Sequence, residues 1–427
     1  MPGFSSWKQP WRCCSVSSRR RVSGSLAMAL TIVVAGCAGD TAETTHEFTV
    51  EIVDGVEEAT NRGGPKFAEP LFTIDEGLTL RQMPDVAESL VHQPTDFARG
   101  ADGRYYVADT GNNRIAVFDA AGNYSATIGN VGQGPGEFEG NLVLIGAIDG
   151  EVRVFDRVLQ RTQVFTLDGA LVDAYSVPTE GRLDTLARTS GGGFAFTERE
   201  FEIDGVIYRQ AAVLGLMSSG GSVRRVATES APFGSLSETE LEGGGVARVV
   251  LQIPFSGDGG GFRDGSAAIL VDGTRGLIEW LDMDGTVRRR VSVDREPVPV
   301  NEPMKERVRE HHRLRLERDV EEGRTYPAPV PDLWFPDTAA WWRSPRRDDR
   351  GYFWFADANQ QSTAAEGEDT RYEIFSPDGE YLGAVHLAFT DFRVQDGMIF
   401  ARDRHPDTDE ARLRVFRLDP VTDFAYH

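Results

Sequence analysis

Cysteine and histidine are scarce in this sequence. Its 427 residues include three cysteines and seven histidines, and two of the cysteines, Cys13 and Cys14, lie close to the N-terminus. One cysteine, Cys37, remains for the rest of the chain, which excludes a disulfide framework and a paired-cysteine motif. Neither a Gly-x-Ser-x-Gly motif nor a phosphate-binding loop stands out. The sequence therefore lacks the familiar signatures of thiol, serine and phosphate-loop chemistry.

Basic residues are few beyond the first 36 positions. The chain contains 45 Lys and Arg against 67 Asp and Glu, which gives a net charge of −22, and the first 36 residues hold five bases and no acid. The remainder carries a net charge of −27. A body this acidic repels nucleic acid and anionic lipid headgroups. We therefore expect no nucleic-acid partner.

The apolar run near the N-terminus, residues 26–34, is too short to span a bilayer stably. Arginines 19–21 precede it, and Val34-Ala35-Gly36-Cys37 ends it. A basic segment, a short apolar core and small residues before a cleavage site describe a secretory signal. An ordinary signal peptide and a twin-arginine signal are alternatives, although Val22-Ser23-Gly24 departs from the twin-arginine pattern.

The VAGC ending resembles the bacterial lipobox. The resemblance implies removal of residues 1–36 as a lipoprotein signal peptide and attachment of a diacylglyceryl group to the thiol of Cys37. Residues 37–46 would form a lipidated flexible tether, and several acyl chains anchor a protein firmly. Because Ala38 rather than Asp follows the cysteine, we expect a bacterial outer-membrane lipoprotein that faces the periplasm or the cell surface.

Residues 93–139 predict three short strands, 104–108, 114–118 and 124–129, separated by turns. Gly and Asn permit tight turns, and Tyr, Val, Ile and Phe suit a half-buried sheet. The stretch VADTGNNRIAVFDAAGNYSATIG, followed by GQGPGEF, resembles an NHL repeat. The resemblance implies one blade of a β-propeller, a fold that hosts many unrelated functions.

A six-residue motif recurs along the chain at spacings of 41 to 94 residues. In each copy an apolar residue is followed four positions later by a turn residue. Each copy suits the hairpin between the last two strands of a blade. The copies are VFDAAG, VFTLDG, GLMSSG, WLDMDG, IFSPDG and VFRLDP, at residues 118, 165, 216, 281, 375 and 416. Six copies predict an all-β protein, a six-bladed NHL-like β-propeller of four-stranded blades, over residues 47–427.

Several segments interrupt this frame. Residues 301–323 contain many good helix formers, with Asn301 as cap and Met304, Val308, Leu316 and Val320 on one face, and predict a helix inserted between blades 4 and 5. We expect a surface loop over 232–245 and a glycine-rich loop over 257–265 within a fourth blade that begins near residue 246. The last blade needs a fourth strand, from residues 71–80 or from residues 421–426, and we favour the N-terminal segment.

Two groups of residues are candidates for ligand binding. The turn containing Asp109, Asn112 and Arg114 offers polar groups, although Asx-type bonding within the turn is the plainer interpretation. Aromatic faces beside cations suit sugars, peptides or small anions. That second group contains Trp334, Trp341, Trp342 and Arg343, with Arg346 and Arg347 close by; alternate members could instead fill a blade core.

No metal site or cofactor is predicted. Of the histidines, only His92 and His405 could lie at a channel mouth, and His311 and His312 diverge by about 100° on a helix. We expect a lipid-anchored binding or protein-interaction module whose protein, peptide or carbohydrate ligand occupies the channel mouth. The alternative is a propeller-type lyase or hydrolase that acts on a lactone, glycan or peptide-derived substrate with a metal in the channel.

Overall fold

The computed structural model describes residues 45–427, apart from 84, 149, 177–181, 189–193, 205–206, 219–221, 229, 241–245, 265–266, 283, 322–332, 364–367, 405–410, 422–423, 425 and 427. The predicted signal peptide, Cys37 and nearly all of the tether lie outside the described residues, as does His405. Within the described ranges, no helix has both the length and the apolar character needed to cross a membrane.

The N-terminal part of the chain forms β1 (His46–Val53), β2 (Val56–Gly63) and β3 (Phe72–Thr79). β1 and β2 pair as an antiparallel hairpin. The strands predicted from residue 47 and from residue 71 are therefore confirmed. The polar sequence of β2, VEEATNRG, gave no strand signal, because most of its side chains are only partly buried at the margin of a sheet.

Blades 1 and 2 are regular antiparallel sheets of four strands each. A short parallel pair, β8 and β9, spans the glycine-rich turn between them. The strands are β4 (Pro94–Arg99), β5 (Tyr105–Asp109), β6 (Arg114–Phe118), β7 (Tyr124–Ile128), β8 (Asn130–Val131), β9 (Glu137–Phe138), β10 (Leu142–Ile148), β11 (Glu151–Asp156), β12 (Arg161–Thr166) and β13 (Leu171–Ser176).

Blade 3 is larger than predicted. Two further strands extend its sheet, so residues 232–240 are not part of the predicted surface loop, residues 241–245 lie outside the described residues, and blade 4 does not begin near residue 246. The serine, glycine and glutamate residues of β18 gave no strand signal in the sequence. This segment forms a strand in the structure because it pairs with β16. The strands are β14 (Arg182–Arg188), β15 (Phe194–Asp204), β16 (Ile207–Met217), β17 (Val223–Ala227), β18 (Ala231–Glu240) and β19 (Val246–Gln252).

Blade 4 begins with the segment predicted as a glycine-rich loop, which is instead its first strand. Glycine is needed there because a Cβ at Gly260 would lie 2.6 Å from Pro345 Cγ and one at Gly261 would lie 2.3 Å from Thr197 Cβ. β2 adds to the outer edge by parallel pairing with β23. The strands are β20 (Gly259–Asp264), β21 (Ala267–Asp272), β22 (Leu277–Leu281) and β23 (Val287–Asp294).

The predicted helix between blades 4 and 5 is present as α1 (Glu302–Glu321). Asn301 caps it, because its Oδ1 accepts a hydrogen bond from the Met304 backbone N–H at 3.1 Å. Met304 and Val308 are buried against Phe255. The first half of the predicted apolar face therefore anchors the helix to the propeller.

Blades 5 and 6 complete the ring. β3 pairs with β30 as the fourth strand of blade 6, which confirms closure by the N-terminal segment. A second, unpredicted helix, α2 (Ala358–Thr363), lies within blade 5. The strands are β24 (Trp342–Arg347), β25 (Phe353–Asp357), β26 (Thr370–Phe375), β27 (Tyr381–Leu387), β28 (Phe392–Gln395), β29 (Met398–Arg404) and β30 (Ala411–Pro420).

The core consists of buried apolar clusters between neighbouring blades. One cluster lies at each of the six interfaces, including the interface at which Val107 of blade 1 meets Phe400 of blade 6. Each buried Phe or Leu side chain contributes roughly 1.5–3 kcal/mol. A blade cannot bury both faces alone, so the stability of each blade depends on its two neighbours.

Candidate functional site

The two ends of the central channel differ in their connections. At one end, turns of two to five residues join the first strand to the second and the third to the fourth. At the other end, where the innermost strands begin, lie the connections from second to third strand and from one blade to the next. Every insertion described above belongs to this second set: the long β15–β16 hairpin, β18–β19, α1 and α2. Elaboration of one face of a scaffold by loops is typical of a binding face.

A cavity of about 470 Å³ lies along the channel. Its wall comes from five of the six blades and extends from the first residues of β20 and β28, near the elaborated end, to Asp348 in the short turn that follows β24 at the other end. Its volume falls within the usual range for small-molecule sites. The lining residues are Asp96, Arg199, Asp258, Gly259, Gly260, Gly261, Phe262, Ser344, Pro345, Arg346, Arg347, Asp348, Trp354, Phe392, Arg393 and Val394.

Arg393 and Asp96 meet across the boundary between blades 6 and 1. Arg393 Nη1 lies 3.6 Å from Asp96 Oδ1 and donates to the backbone carbonyls of Phe97 and Leu144 at 3.3 and 3.2 Å. Burial within the channel raises the pKa of the Asp96 carboxyl, and Arg393 only partly opposes this effect. Arg393 therefore joins blade 6 to blades 1 and 2 at the cavity wall.

Two charged residues of the wall hold the site together. Arg346 donates to the backbone carbonyls of Phe392, Ser344 and Thr390 at 3.0, 2.9 and 2.6 Å, which ties blade 5 to blade 6. Asp348 Oδ2 accepts hydrogen bonds from the Trp354 indole and the Tyr426 hydroxyl at 3.0 and 2.7 Å. Burial nevertheless raises the pKa of Asp348. These contacts keep the wall rigid.

Asp258 stands at the entry to β20 and differs from the other two aspartates of the wall. Its Oδ2 accepts a hydrogen bond from the Ser344 backbone N–H at 2.9 Å. Its Oδ1 is buried and has no hydrogen-bond partner among the described residues. A buried acceptor that lacks a donor lowers the stability of the folded protein by roughly 1–3 kcal/mol. The unsatisfied oxygen of Asp258 in the cavity wall therefore needs an explanation.

Arg343, one of the predicted site residues, lies beside this aspartate and one residue before the lining of the cavity. It is 6% exposed, and its Nη2 has no hydrogen-bond partner in the described part of the chain. Burial lowers the pKa of its guanidinium, and the Asp258 carboxylate only partly opposes that shift. The structure therefore brings together two buried and poorly satisfied charges of opposite sign.

The predicted tryptophans have different environments. Trp342 is fully buried and stacks on Phe355 with a ring separation of 4.3 Å, whereas Trp334 is 40% exposed near α1. Trp341 is partly buried and packs beside the Gly276 turn. None of the three lines the cavity, whereas Arg346 and Arg347 from the same stretch do.

The polar groups of the Asp109 turn bind one another. Asp109 Oδ2 accepts from Asn112 Nδ2 at 2.7 Å and Arg114 Nε at 2.8 Å, and its Oδ1 accepts from the His92 N–H at 2.7 Å. Asp156, Asp272 and Asp357 end the second strands of other blades in the same way, and each accepts backbone N–H groups of the following turn. The four aspartates thus share a position, but Asp109 binds side chains of its turn and the His92 N–H where the other three accept N–H groups of the following turn.

The potential metal ligands are dispersed. Among the described residues, no group of three or more His, Cys, Asp or Glu side chains could hold a metal ion. His92 is exposed, and His311 and His312 lie on α1.

Sequence reasoning missed most of the cavity. Asp96, Arg199, Asp258 and Arg393 come from four blades and are separated by up to 297 positions. A signal did exist in the innermost strands: TDFAR and DFRVQ place charges among the apolar residues of a strand that a propeller buries. Buried strands with charged positions mark the channel wall.

Six antiparallel sheets closed into a ring define a six-bladed β-propeller. A family described as a 6-bladed beta-propeller matches residues 92–213, which extend from just before blade 1 into β16. None of the curated proteins matches this sequence.

Several solved structures are remotely similar to this chain. An exported protein from Bacteroides fragilis, so described, is 10% identical, with coverage of 85% of this chain and 99% of the other and a TM-score of 0.46. Virginiamycin B lyase from Staphylococcus aureus is 11% identical, with coverage of 82% and 100% and a TM-score of 0.36. Aldose sugar dehydrogenase from Streptomyces coelicolor is 12% identical, with coverage of 82% and 100% and a TM-score of 0.38.

Proposed function

We propose that this chain is a lipid-anchored, extracytoplasmic propeller that binds a small anionic ligand in the cavity along its channel. The lipid anchor at Cys37 and the outer-membrane location are supported by the arginine-rich segment, the short apolar core and the VAGC ending. The propeller would then present its ligand site to the periplasm or the cell surface.

The charge of the cavity carries this proposal. Four arginines line it against three aspartates, although the chain as a whole has a net charge of −22. Burial also raises the pKa of Asp96 and of Asp348, so it opposes the charged form of both carboxyls. A concave site of one sign within a low-dielectric wall concentrates ligands of the opposite sign. Guanidinium groups suit carboxylates in particular.

The apolar part of the wall supports an organic ligand over a simple inorganic anion. Phe262, Pro345, Phe392 and Val394 provide that surface. Ligand sites of this size combine a mostly apolar lining with a few polar groups that fix orientation.

A test of this function compares small carboxylic acids with their uncharged amides. The probes are aliphatic and aromatic acids, and the measurement is isothermal titration calorimetry on the detergent-solubilised full-length protein. We expect the acids to bind and the amides to bind at least about tenfold more weakly. R393Q should reduce affinity for the acids similarly. The matched control is R417Q, which removes an arginine that is 65% exposed. Equal binding of acids and amides would contradict the proposal.

A lyase or hydrolase at the same cavity is the second candidate. One observation favours it: Asp96, with its raised pKa, lies in the cavity beside Arg393 and could act as a general acid. A metal-dependent version fits less well, because the described lining contains no histidine or cysteine and takes its aspartates from different blades. Mass spectrometry of lactone, glycan and peptide panels incubated with the protein and with D96N distinguishes the candidates, since turnover that D96N abolishes would favour the enzyme.

A further inference from the structure

Asp258 is the least satisfied of the three carboxylates in the cavity wall. Asp96 has an ion pair with Arg393 and a hydrogen bond from the Phe97 N–H at 2.9 Å. Asp348 accepts from two side chains and from the backbone. Asp258 is 7% exposed, and its Oδ1 receives no hydrogen bond in the described structure. One carboxylate oxygen of the wall is therefore held ready for a donor.

The backbone around Asp258 prevents this side chain from moving to another partner. Its N–H donates to the Trp342 carbonyl at 3.2 Å, and its carbonyl accepts from the Gly273 N–H at 3.0 Å. Two non-glycine residues nearby, Phe255 and Ser344, have φ values of 61° and 49° in the left-handed region. Such conformations are costly and persist only where the surrounding structure enforces them. The unsatisfied oxygen is thus fixed in place.

The neighbouring cation does not replace the missing donor. Arg343 is close enough for its pKa to respond to Asp258, yet no hydrogen bond or ion pair joins them among the described contacts. Arg343 and Ser344 belong to a bulge in β24, where the register with β25 shifts between Arg343 and Arg346. The bulge directs the Ser344 N–H to Oδ2 and leaves Oδ1 without a partner.

The order of the blades places this acceptor among cations. Asp258 directly precedes the first strand of blade 4. The two blades beside blade 4 in the ring contribute Arg199, from blade 3, and Arg346 and Arg347, from blade 5. Because Asp258 also lines the cavity, a ligand there can meet guanidinium groups with one end and the Asp258 carboxylate with the other. Apolar surface from Phe262 and Phe392 lies within the same wall.

We infer that the ligand is a zwitterion of the amino-acid or short-peptide class, with its carboxylate facing the arginines and its protonated amine on the Asp258 carboxylate. This inference rests on the proposed binding function and identifies the class of ligand. An ammonium group supplies both the hydrogen and the positive charge that a buried carboxylate oxygen lacks. Asp258 is then the residue that distinguishes amino acids and peptides from simple carboxylic acids.

The test compares each peptide with an analogue that lacks only the amine. The probes are alanyl dipeptides with aliphatic and aromatic second residues, paired with propionyl derivatives of the same second residues. Calorimetry on the detergent-solubilised full-length protein should show that the alanyl form binds about tenfold to a hundredfold more tightly. D258N keeps an oxygen for the Ser344 N–H but removes the charge, so it should abolish this preference.

The controls separate this inference from the function on which it rests. D168N makes the same change at an aspartate that is 90% exposed, and it should retain the preference. Equal affinity for alanyl and propionyl forms would overturn the zwitterion while leaving anion binding intact. Failure of every carboxylate to bind would overturn both, and a D258N variant that still prefers the amine would remove Asp258 from the site. If D258N does not fold, the wild-type comparison still decides whether the ligand carries an amine.

Discussion

Two buried charge clusters flank adjacent residues of β24 and differ in how well they are satisfied. On one face, Glu373 accepts hydrogen bonds from Trp342 Nε1 at 3.0 Å, Arg295 Nη1 at 2.7 Å and Arg371 Nη1 at 2.8 Å. On the other side, Arg343 Nη2 and Asp258 Oδ1 have no hydrogen-bond partner among the residues that the structure describes. The two carboxylates are both buried, at 2% exposure for Glu373 and 7% for Asp258. Exposure of the carboxylate therefore does not explain why one is fully bonded and the other is not.

Under the proposed function, the difference separates charges that hold the fold from charges that bind a ligand. The Glu373 cluster joins blade 5 to Arg295, which follows the last strand of blade 4, so its satisfied bonds tie the ring together. The Asp258 pair lies against the cavity and joins no blades by an ion pair. Buried polar groups that are only partly satisfied lower stability, and a protein retains them where function compensates.

The largest expected effect is the loss of the satisfied cluster. E373Q removes the charge that Arg295 and Arg371 share and leaves both guanidinium groups without their buried counter-ion. We expect the free energy of unfolding in urea to fall by about 3–5 kcal/mol. E306Q is the matched control, because Glu306 is 70% exposed on α1 and pairs with Arg309. A loss below about 0.5 kcal/mol, as expected for that control, would contradict the structural role.

The pH dependence of stability sharpens the same prediction. Burial opposes the charged form of Glu373, but the guanidinium groups of Arg295 and Arg371 outweigh burial and hold its pKa below the usual range. The stabilisation is complete above the ordinary glutamate value of about 4.3 and disappears as the pH falls through the folded pKa. As the pH falls below this value, the free energy of unfolding measured in urea should decrease more steeply for the wild type than for E373Q. Parallel pH profiles would show that Glu373 does not contribute in this way.

A smaller effect is expected at the turn that sequence reasoning had considered for ligand binding. D109N keeps the shape of the side chain but removes the charge that Arg114 and Asn112 contact. We expect the free energy of unfolding to fall by about 1–3 kcal/mol, with no change in ligand affinity. D168N, at an exposed turn, should change stability by less than about 0.5 kcal/mol. Loss of ligand binding in a fully folded D109N protein would instead place this turn in the binding site.

The ring was predictable because its signal is local and repeated. Five of the six turn motifs join the third strand of a blade to the fourth, and the motif at residue 416 lies at the end of β30, where β3 takes the place of the fourth strand. Each hairpin needs only its own glycine and flanking apolar residues. The repeated pattern therefore predicted six blades, whereas the helix formers of residues 301–323 predicted the inserted helix and the candidate strand at residues 71–80 predicted the closing strand.

The cavity was not predictable in the same way, because it depends on contacts between distant segments. β18 forms a strand only because the projecting part of β16 provides a partner. Gly259, Gly260 and Gly261 resemble a loop in sequence, yet close packing against Thr197 and Pro345 makes glycine the residue that fits this innermost strand. The missing bond at Asp258 is likewise a property of the folded chain. Sequence reasoning identified Arg343 from its aromatic neighbours but gave no indication that it lacks a partner.

The smallest expected effect on stability belongs to Arg343. R343M replaces an unpaired buried cation by an unbranched apolar side chain that can fill similar space. Because the variant removes a desolvated charge without breaking a hydrogen bond, the free energy of unfolding should stay within about 1 kcal/mol of the wild type or rise. R371M is the contrasting variant, since Arg371 donates to Glu373, Glu69 and Tyr381, and it should lose about 3–5 kcal/mol. A similar loss in R343M would mean that the two clusters have the same structural role, and the distinction between them would fail.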